Sequence, residues 1–270
     1  MRKHLMRKTT AILLCGTLLC GMSACGKKEV TLDSGAAANE IAEQTVVNAS
    51  EIANFSLPEK GEPIVVLTIR NYGDVKIRLF PDKTEKGAEN FRKLAESGFY
   101  DDLIFHRVVD GFVIQGGDPK GNGTGGVDAW GSEQGFAQTI SPDLCHVTGA
   151  VAYAIGSDKL NKSQFYIVTG TIPTAEEFAL YREKGYSFSP EAEALYKHVG
   201  GVPYLDGGYE VFGQVFDGME YVLEIQKAAV DANSKPKKQI VIEKAVVTEY
   251  DGTPPAWLNA EGKPFTPAAN

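Results

Sequence analysis

Two apolar runs joined by a tight turn constrain this chain more than any other feature. Ile64-Val65-Val66-Leu67-Thr68-Ile69 is rich in β-branched residues, Asn71-Tyr72-Gly73-Asp74 is a turn sequence, and Val75-Lys76-Ile77-Arg78-Leu79 alternates apolar with polar. Branched side chains pack well on a pleated surface, and alternation puts every second side chain on one face. Together the segments predict a β-hairpin with one buried face, ended by Pro81. Further apolar runs follow at Val108–Ile114, Ala150–Ile155, Phe165–Val168, Val211–Phe216 and Ile240–Val247. Ala88, Phe91, Leu94 and Ala95 recur at helical spacing, with Thr84 as a cap and Gly98 as a stop, and Gly218–Ile225 opens a second short helix. Many short strands, two helices and 29 glycines in 270 residues point to a barrel or sandwich with accessory helices rather than a helix bundle.

The first 24 residues read as a targeting segment. Arg2, Lys3, Arg7 and Lys8 form a basic start, Thr9 to Leu19 is mostly apolar, and Met22-Ser23-Ala24 leads into Cys25. Such a pattern marks a secretory signal, and the apolar stretch is too short to span a bilayer comfortably. A cysteine directly after the small residues resembles a bacterial lipoprotein signal, which implies a lipid on Cys25 and an extracytoplasmic, membrane-anchored protein. Removing residues 1–24 takes away four positive charges and no acids, so the formal charge of −8 becomes −12. An acidic chain without a clustered basic face is not a nucleic-acid binder, because that affinity rests on neutralised phosphates. With Cys25 lipidated, Cys145 has no intramolecular partner and reads as a small buried hydrophobe.

The composition divides the remainder. Residues 25–61 are rich in small and polar residues and read as a flexible tether. Residues 62–250 hold the folded domain, and residues 251–270, rich in proline, read as a loose tail. Residues 172–201 break the strand rhythm and read as an insertion carrying one or two helical turns.

Three blocks carry the chemistry. The first is Phe105-His106-Arg107-Val108-Val109-Asp110-Gly111-Phe112-Val113-Ile114-Gln115-Gly116-Gly117-Asp118. The second is Ser163-Gln164-Phe165-Tyr166-Ile167. The third is Tyr204-Leu205-Asp206-Gly207-Gly208-Tyr209-Glu210-Val211-Phe212-Gly213. Phe112 and Val113 are consecutive, so they share one pocket only if the backbone bends. Gln115 and Gln164 lie within apolar strands, where a buried amide needs partners. His106, His146 and His198 have no metal-ligand spacing, and His106 reads as a satisfied structural histidine. Gly121–Gly126 matches Gly-x-Gly-x-x-Gly, but Val127-Asp128-Ala129-Trp130-Gly131 does not start a helix, so the match reads as a turn-rich loop and not a dinucleotide site.

In this order and over about residues 62–250, the blocks resemble the cyclophilin family of prolyl isomerases. The resemblance implies a mainly β fold, a closed eight-stranded antiparallel barrel capped by two helices, acting on proline-containing polypeptides. It implies Arg107 as the catalytic residue, donating to the prolyl nitrogen as amide resonance is lost. It places Phe112, Val113, Tyr166 and Leu205 around the proline ring and Gln115 and Gln164 on the substrate backbone. Tyr153, Ala154 and Ile155 would flank the extended peptide, with Gly123 on the neighbouring loop. Tyr204 and Tyr209 complete the expected site. No metal or cofactor is required, and a monomer is expected. The family's commonest pattern has methionine at Val113, asparagine at Ala154, phenylalanine at Tyr166, tryptophan at Tyr204 and histidine at Tyr209. Without the indole donor at Tyr204, weaker cyclosporin binding is expected. Two other readings use the same features: a proline-peptide-binding surface lipoprotein that does not turn over, and a structural lipoprotein whose barrel displays the insertion.

Overall fold

The hairpin forms as its sequence requires. In the computed structural model, which describes residues 52–267, β1 (Pro63–Ile69) pairs antiparallel with β2 (Gly73–Leu79), from Ile64 opposite Arg78 to Ile69 opposite Gly73. Val65, Leu67, Ile69, Val75, Ile77 and Leu79 all point into one core. Asn71 adopts φ 68°, the left-handed turn geometry asparagine tolerates better than most residues. The signal segment and Cys25 lie outside the described residues, as does the tether up to residue 51.

Six further strands complete the main sheet: β3 (Arg107–Val109), β4 (Val113–Gly116), β6 (Ala150–Tyr153), β8 (Phe165–Val168), β9 (Val211–Asp217) and β10 (Ile242–Glu249). The order is β10-β1-β2-β9-β6-β8-β4-β3, and every pair is antiparallel. Between β6 and β8, β7 (Leu160–Asn161) pairs with β5 (Phe136–Ala137) as a separate small sheet. The expected run Val108–Ile114 is two strands, because Asp110 and Gly111 turn the chain and Gly111 takes φ 67°.

The sheet is a half-barrel and not the closed barrel expected. Among the described residues its edges, β10 and β3, are joined through the isolated bridge Ile104–Val241, flanked by N–H bonds from Phe105 to Ile240, from Ile242 to Leu103 and from Asp102 to Ile242. The segment approaching β3 turns at Asp102 (φ 61°), and the Asp101 carboxylate, not a strand carbonyl, accepts the Ala245 N–H at 2.9 Å. A side chain thus occupies the place of a ladder bond and the ladder stops.

Among the described residues there are four α-helices, the two expected on the sheet and two more in the insertion. α1 (Glu85–Glu96) buries Ala88, Phe91, Leu94 and Ala95 as its spacing predicts, and Gly98 ends it with φ 73°. Thr84 precedes α1, but its hydroxyl donates to the Phe80 carbonyl at 3.2 Å and leaves the first turn uncapped. α2 (Ala175–Glu183) and α3 (Pro190–Val199) form the insertion, and α4 (Met219–Ile225) follows β9. Thr174 and Glu177 make a reciprocal capping box on α2; Ser189 caps α3, with Pro190 in its first turn. The insertion leaves and rejoins at one point: Gly201 bridges both Thr171 and Val147. Gly170 and Gly201 are in contact there, and a Cβ on Gly170 would collide with Gly201.

Alternation along the strands divides the apolar residues between two faces. Val151, Tyr153, Phe165, Ile167 and Phe212 join the hairpin core inside. Val113, Ala150, Ala152, Tyr166 and Val168 face outward, where the insertion covers them with Phe178, Leu195, Tyr196 and Val199. The chain ends also belong to this outer cluster, which corrects both expected boundaries. Phe55 packs edge-on against Trp257 at 5.1 Å, and Asn54 exchanges hydrogen bonds with the Cys145 backbone and donates to Gln214. The Ala256 and Ala260 N–H groups donate to Phe216 and Val199. Residues 52–61 are therefore not tether and 251–265 are not loose; their aromatics cover apolar surface the sheet would otherwise expose. Among the described residues no helix is long and apolar enough to cross a membrane.

Candidate functional site

A single row of residues crosses four strands on the outer face. Arg107 on β3 stands opposite Gln115 on β4, Gln115 opposite Tyr166 on β8, and Tyr166 opposite Ala152 on β6. Neighbours in such a row have side chains within contact reach, so the register alone brings the first two blocks together.

Hydrogen bonds tie the row into a relay. The Arg107 guanidinium lies 3.4 Å from Gln115 Oε1, Gln115 Nε2 donates to Gln164 Oε1 at 3.0 Å, and Gln164 Nε2 donates to the Gly125 carbonyl at 2.7 Å. Both amides are therefore partnered. The Arg107 guanidinium also sits over the Phe112 ring at 5.6 Å. Phe112 occupies the turn before β4, and this is the bend that lets it share a face with Val113. Tyr204 stacks nearly parallel on Phe112 at 6.3 Å and 9°. Val113, Tyr166 and Leu205 are buried in the same outer cluster, with Ala154, Phe112, Tyr204 and Tyr209 against it.

The glycine loop is built on Asp118. Burial pushes this carboxyl up, but the backbone N–H groups of Lys120, Asn122 and Gly123 outweigh it and hold the group below the usual carboxylate range. A Cβ on Gly125 would strike Asp118, so glycine keeps the loop closed against the row. Gly123 is exposed at the loop's crest beside His106. His106 is buried, yet among the described residues neither ring nitrogen has a hydrogen-bond partner, so it is not the satisfied histidine expected. Burial, ahead of its charged neighbours, lowers its pKa.

Tyr153 and Ile155 are not in this site. Tyr153 follows Ala152 on β6 and so points inward, 4.3 Å from the Phe212 ring, with its hydroxyl donating to the Gly87 carbonyl. Ile155 packs on the same inner core. Ala154 alone of the three joins the outer face.

A buried polar network beneath the row is absent from the sequence reading. Tyr166 OH lies 3.0 Å from His146 Nε2, His146 Nδ1 lies 2.8 Å from Asp206, and Tyr196 OH donates to the other Asp206 oxygen at 2.7 Å. The Asp206 carboxylate is an acceptor, so His146 Nδ1 carries a proton toward it, while Nε2 shares its hydrogen bond with the Tyr166 hydroxyl. The His146 N–H donates to Asp206 as well. The available signal was Tyr166 itself: a hydroxyl added where phenylalanine is usual must find a partner once buried.

Comparison with known proteins agrees with this geometry. A family model described as cyclophilin type peptidyl-prolyl cis-trans isomerase/CLD matches residues 64–247. A Staphylococcus epidermidis protein provisionally named a peptidyl-prolyl cis-trans isomerase is 36% identical over 186 residues, which are 69% of this chain and 92% of that protein. A Streptococcus pyogenes protein provisionally named a bifunctional phosphatase/peptidyl-prolyl cis-trans isomerase is 40% identical over 176 residues, 64% of this chain but only 36% of that longer protein. A Cryptosporidium parvum cyclophilin type isomerase, crystallised in the presence of the dipeptide Ala-Pro, superposes with a TM-score of 0.54 at 32% identity, covering 69% of this chain and 99% of its own.

Proposed function

The chain belongs to the cyclophilin-type peptidyl-prolyl cis-trans isomerase family, and from that premise we propose that Arg107 carries its isomerisation of X-Pro bonds, on proline-containing polypeptides outside the cytoplasm. The observation that carries the role of Arg107 is the transverse row, which sets this guanidinium beside an apolar wall of Phe112, Val113, Tyr166 and Leu205 on one face.

Rotation about an X-Pro bond sacrifices amide resonance, a barrier of about 18–20 kcal/mol. The twisted state has a pyramidal nitrogen whose lone pair is free to accept a hydrogen bond; the planar state does not. A donor aimed at that nitrogen therefore binds the transition state more strongly than the ground state, which is the condition for acceleration. A guanidinium offers fixed, directional donors, and Gln115 and Phe112 hold that of Arg107 from two sides. The apolar wall grips the proline ring while the other side of the bond turns. Gln115 and Gln164 offer amide groups to the substrate backbone, and Ala154 and Gly123 lie along its path. Tyr204 and Tyr209 border the wall, and the lack of an indole donor at Tyr204 supports weaker inhibition by cyclosporin.

The place of action rests on the N-terminal sequence: a basic start, an apolar run and Cys25 after Ala24 support lipidation at Cys25 and a role as an anchored folding helper. The decisive experiment is the cis-to-trans relaxation rate of a short X-Pro peptide with the full chain and its Arg107→Ala variant. Acceleration that the variant largely loses upholds the proposal. Tight peptide binding without acceleration by either would make the chain a proline-binding module instead.

A further inference from the structure

The aromatic wall does not stop at Tyr204. Its ring lies 5.6 Å from that of Tyr181, and Tyr181 stands edge-on to Tyr186 at 6.4 Å and to Phe188 at 6.1 Å. Tyr181, Tyr186 and Phe188 all come from the insertion, from the end of α2 and the loop before α3. Tyr181 is buried, Phe188 is half-buried, and Tyr186 is 38% exposed. Burial and then Tyr186 raise the Tyr204 pKa while Arg107 pulls it down, so the Tyr204 hydroxyl lies within electrostatic reach of both. Tyr204 thus belongs to the wall beside Arg107 and to the insertion at once.

This shelf is held at several points. The insertion closes at Gly201, both helices are capped, Arg182 pairs with Glu193 across them, and Tyr196 is bonded to Asp206 next to Leu205. A surface already held in place costs little conformational entropy when a ligand lands on it. Arg182, Glu183 and Lys184 are exposed around it, giving an apolar patch with a charged rim.

We propose that Tyr186, Phe188 and Tyr204 form an extended subsite that receives an aromatic or large aliphatic side chain of the substrate, within about four residues of the proline. The proposal rests on the placement of the proline pocket above, because continuity through Tyr204 is what makes a proline-containing peptide the occupant. It makes the insertion a selector of clients: segments with a bulky apolar residue near proline are favoured over those without. Stretches of that composition are buried in finished proteins and accessible in unfolded ones.

The test uses the full chain and a set of alanine-based peptides, each with one X-Pro bond and one phenylalanine placed two to four residues before or after it. Exchange NMR gives kcat/KM for each relative to the all-alanine peptide. At least one position is expected to gain about fivefold, and the Tyr186→Ala/Phe188→Ala variant is expected to bring that ratio close to one. Tyr186→Ala alone, in an exposed loop, serves if the double variant fails to fold, with a partial fall expected. No gain at any position, or a gain that survives the substitutions, overturns the proposal. If the native chain accelerates no peptide at all, the isomerase reading falls instead. The ratio of dissociation constants for the same peptides then decides the shelf by the same criteria.

Discussion

The hydroxyl of Tyr166 lies 3.0 Å from Nε2 of His146, which joins a pocket residue to a buried relay ending in the insertion. Each link satisfies a group that burial would otherwise leave without a partner. Tyr166 is on β8, His146 precedes β6, Asp206 follows the 3-10 turn Pro203–Leu205, and Tyr196 is on α3. The insertion is therefore bonded to the same loop that carries Tyr204 and Leu205.

Removing only the far hydroxyl of this relay tests whether it positions the pocket. Tyr196 is fully buried, and Tyr196→Phe keeps its packing while depriving Asp206 of one donor. A hydrogen bond to a charged acceptor contributes about 1.5–3 kcal/mol, and Asp206 keeps its two bonds from His146, so a loss of about 1–2 kcal/mol is expected in urea unfolding. KM for X-Pro peptides is expected to rise a few-fold with kcat little changed, because the wall loosens while Arg107 stays in place. An unchanged KM would confine the network to folding.

The charge of Arg107 is not sufficient for its role. Arg107→Lys keeps a cation but loses the planar fork that faces both Gln115 and the Phe112 ring. Removing one preorganised transition-state donor costs about 10²–10³ in kcat. Arg107→Lys is expected to fall nearly as far as Arg107→Ala, with stability altered by less than about 1 kcal/mol, since the side chain is only partly buried. Near-native turnover by the lysine variant would show that field, not directed donation, drives rotation.

The hairpin, α1 and the Arg107 row were legible because each rests on a local pattern: alternation, helical spacing, or a contiguous block. Tyr153 was not. Ala150–Ile155 is apolar at every position, so nothing in the run says which side chains face the inner core. The chain ends were misread for a related reason. Phe55 and Trp257 are isolated aromatics among small and polar residues, and Asn54 finds its partners 91 and 160 residues away at Cys145 and Gln214. Sparse residues acting over such separations leave no periodicity. The open edge was equally hidden, because it depends on the Asp101 carboxylate standing in for a strand.

Those ends make a direct prediction. Trp257 is 7% exposed and packs on Phe55, which in turn meets Phe265 edge-on at 5.2 Å. Large-to-small changes at buried aromatics cost about 3–5 kcal/mol. Trp257→Ala is expected near the lower end, because this cluster lies at the surface of the outer core and can partly collapse. A variant ending at residue 250 is expected to lose more. Unfolding midpoints that match the native chain would return these residues to the status of a loose tail.

Glu210 gives the stability an unusual pH dependence. Its carboxyl is fully buried and has no cationic partner among the described residues; burial pushes its pKa up to about 7, against the opposing bonds from the Thr139 N–H and the Asn161 amide. Among the described residues the other oxygen has no hydrogen-bond partner, and it lies against Gly87 in the first turn of α1, where an added Cβ would collide with it. An unfolded glutamate titrates near 4.3, so between about 4.3 and 7 the folded state holds a proton that the unfolded state has lost. Stability is then complete below that window and falls as pH rises through it, by about 3 kcal/mol in all, and levels above about pH 8. His106 works the other way, because its lowered pKa makes the folded state shed a proton first. The comparison that isolates Glu210 is therefore native against Glu210→Gln, by urea unfolding from pH 5 to 8. The variant keeps an acceptor for Thr139 and Asn161 but cannot ionise, so the difference between the two curves is expected to widen with pH in its favour. A difference that stays constant across that range would mean that Glu210 remains in one protonation state throughout, and that α1 starts over a permanently charged or permanently neutral group.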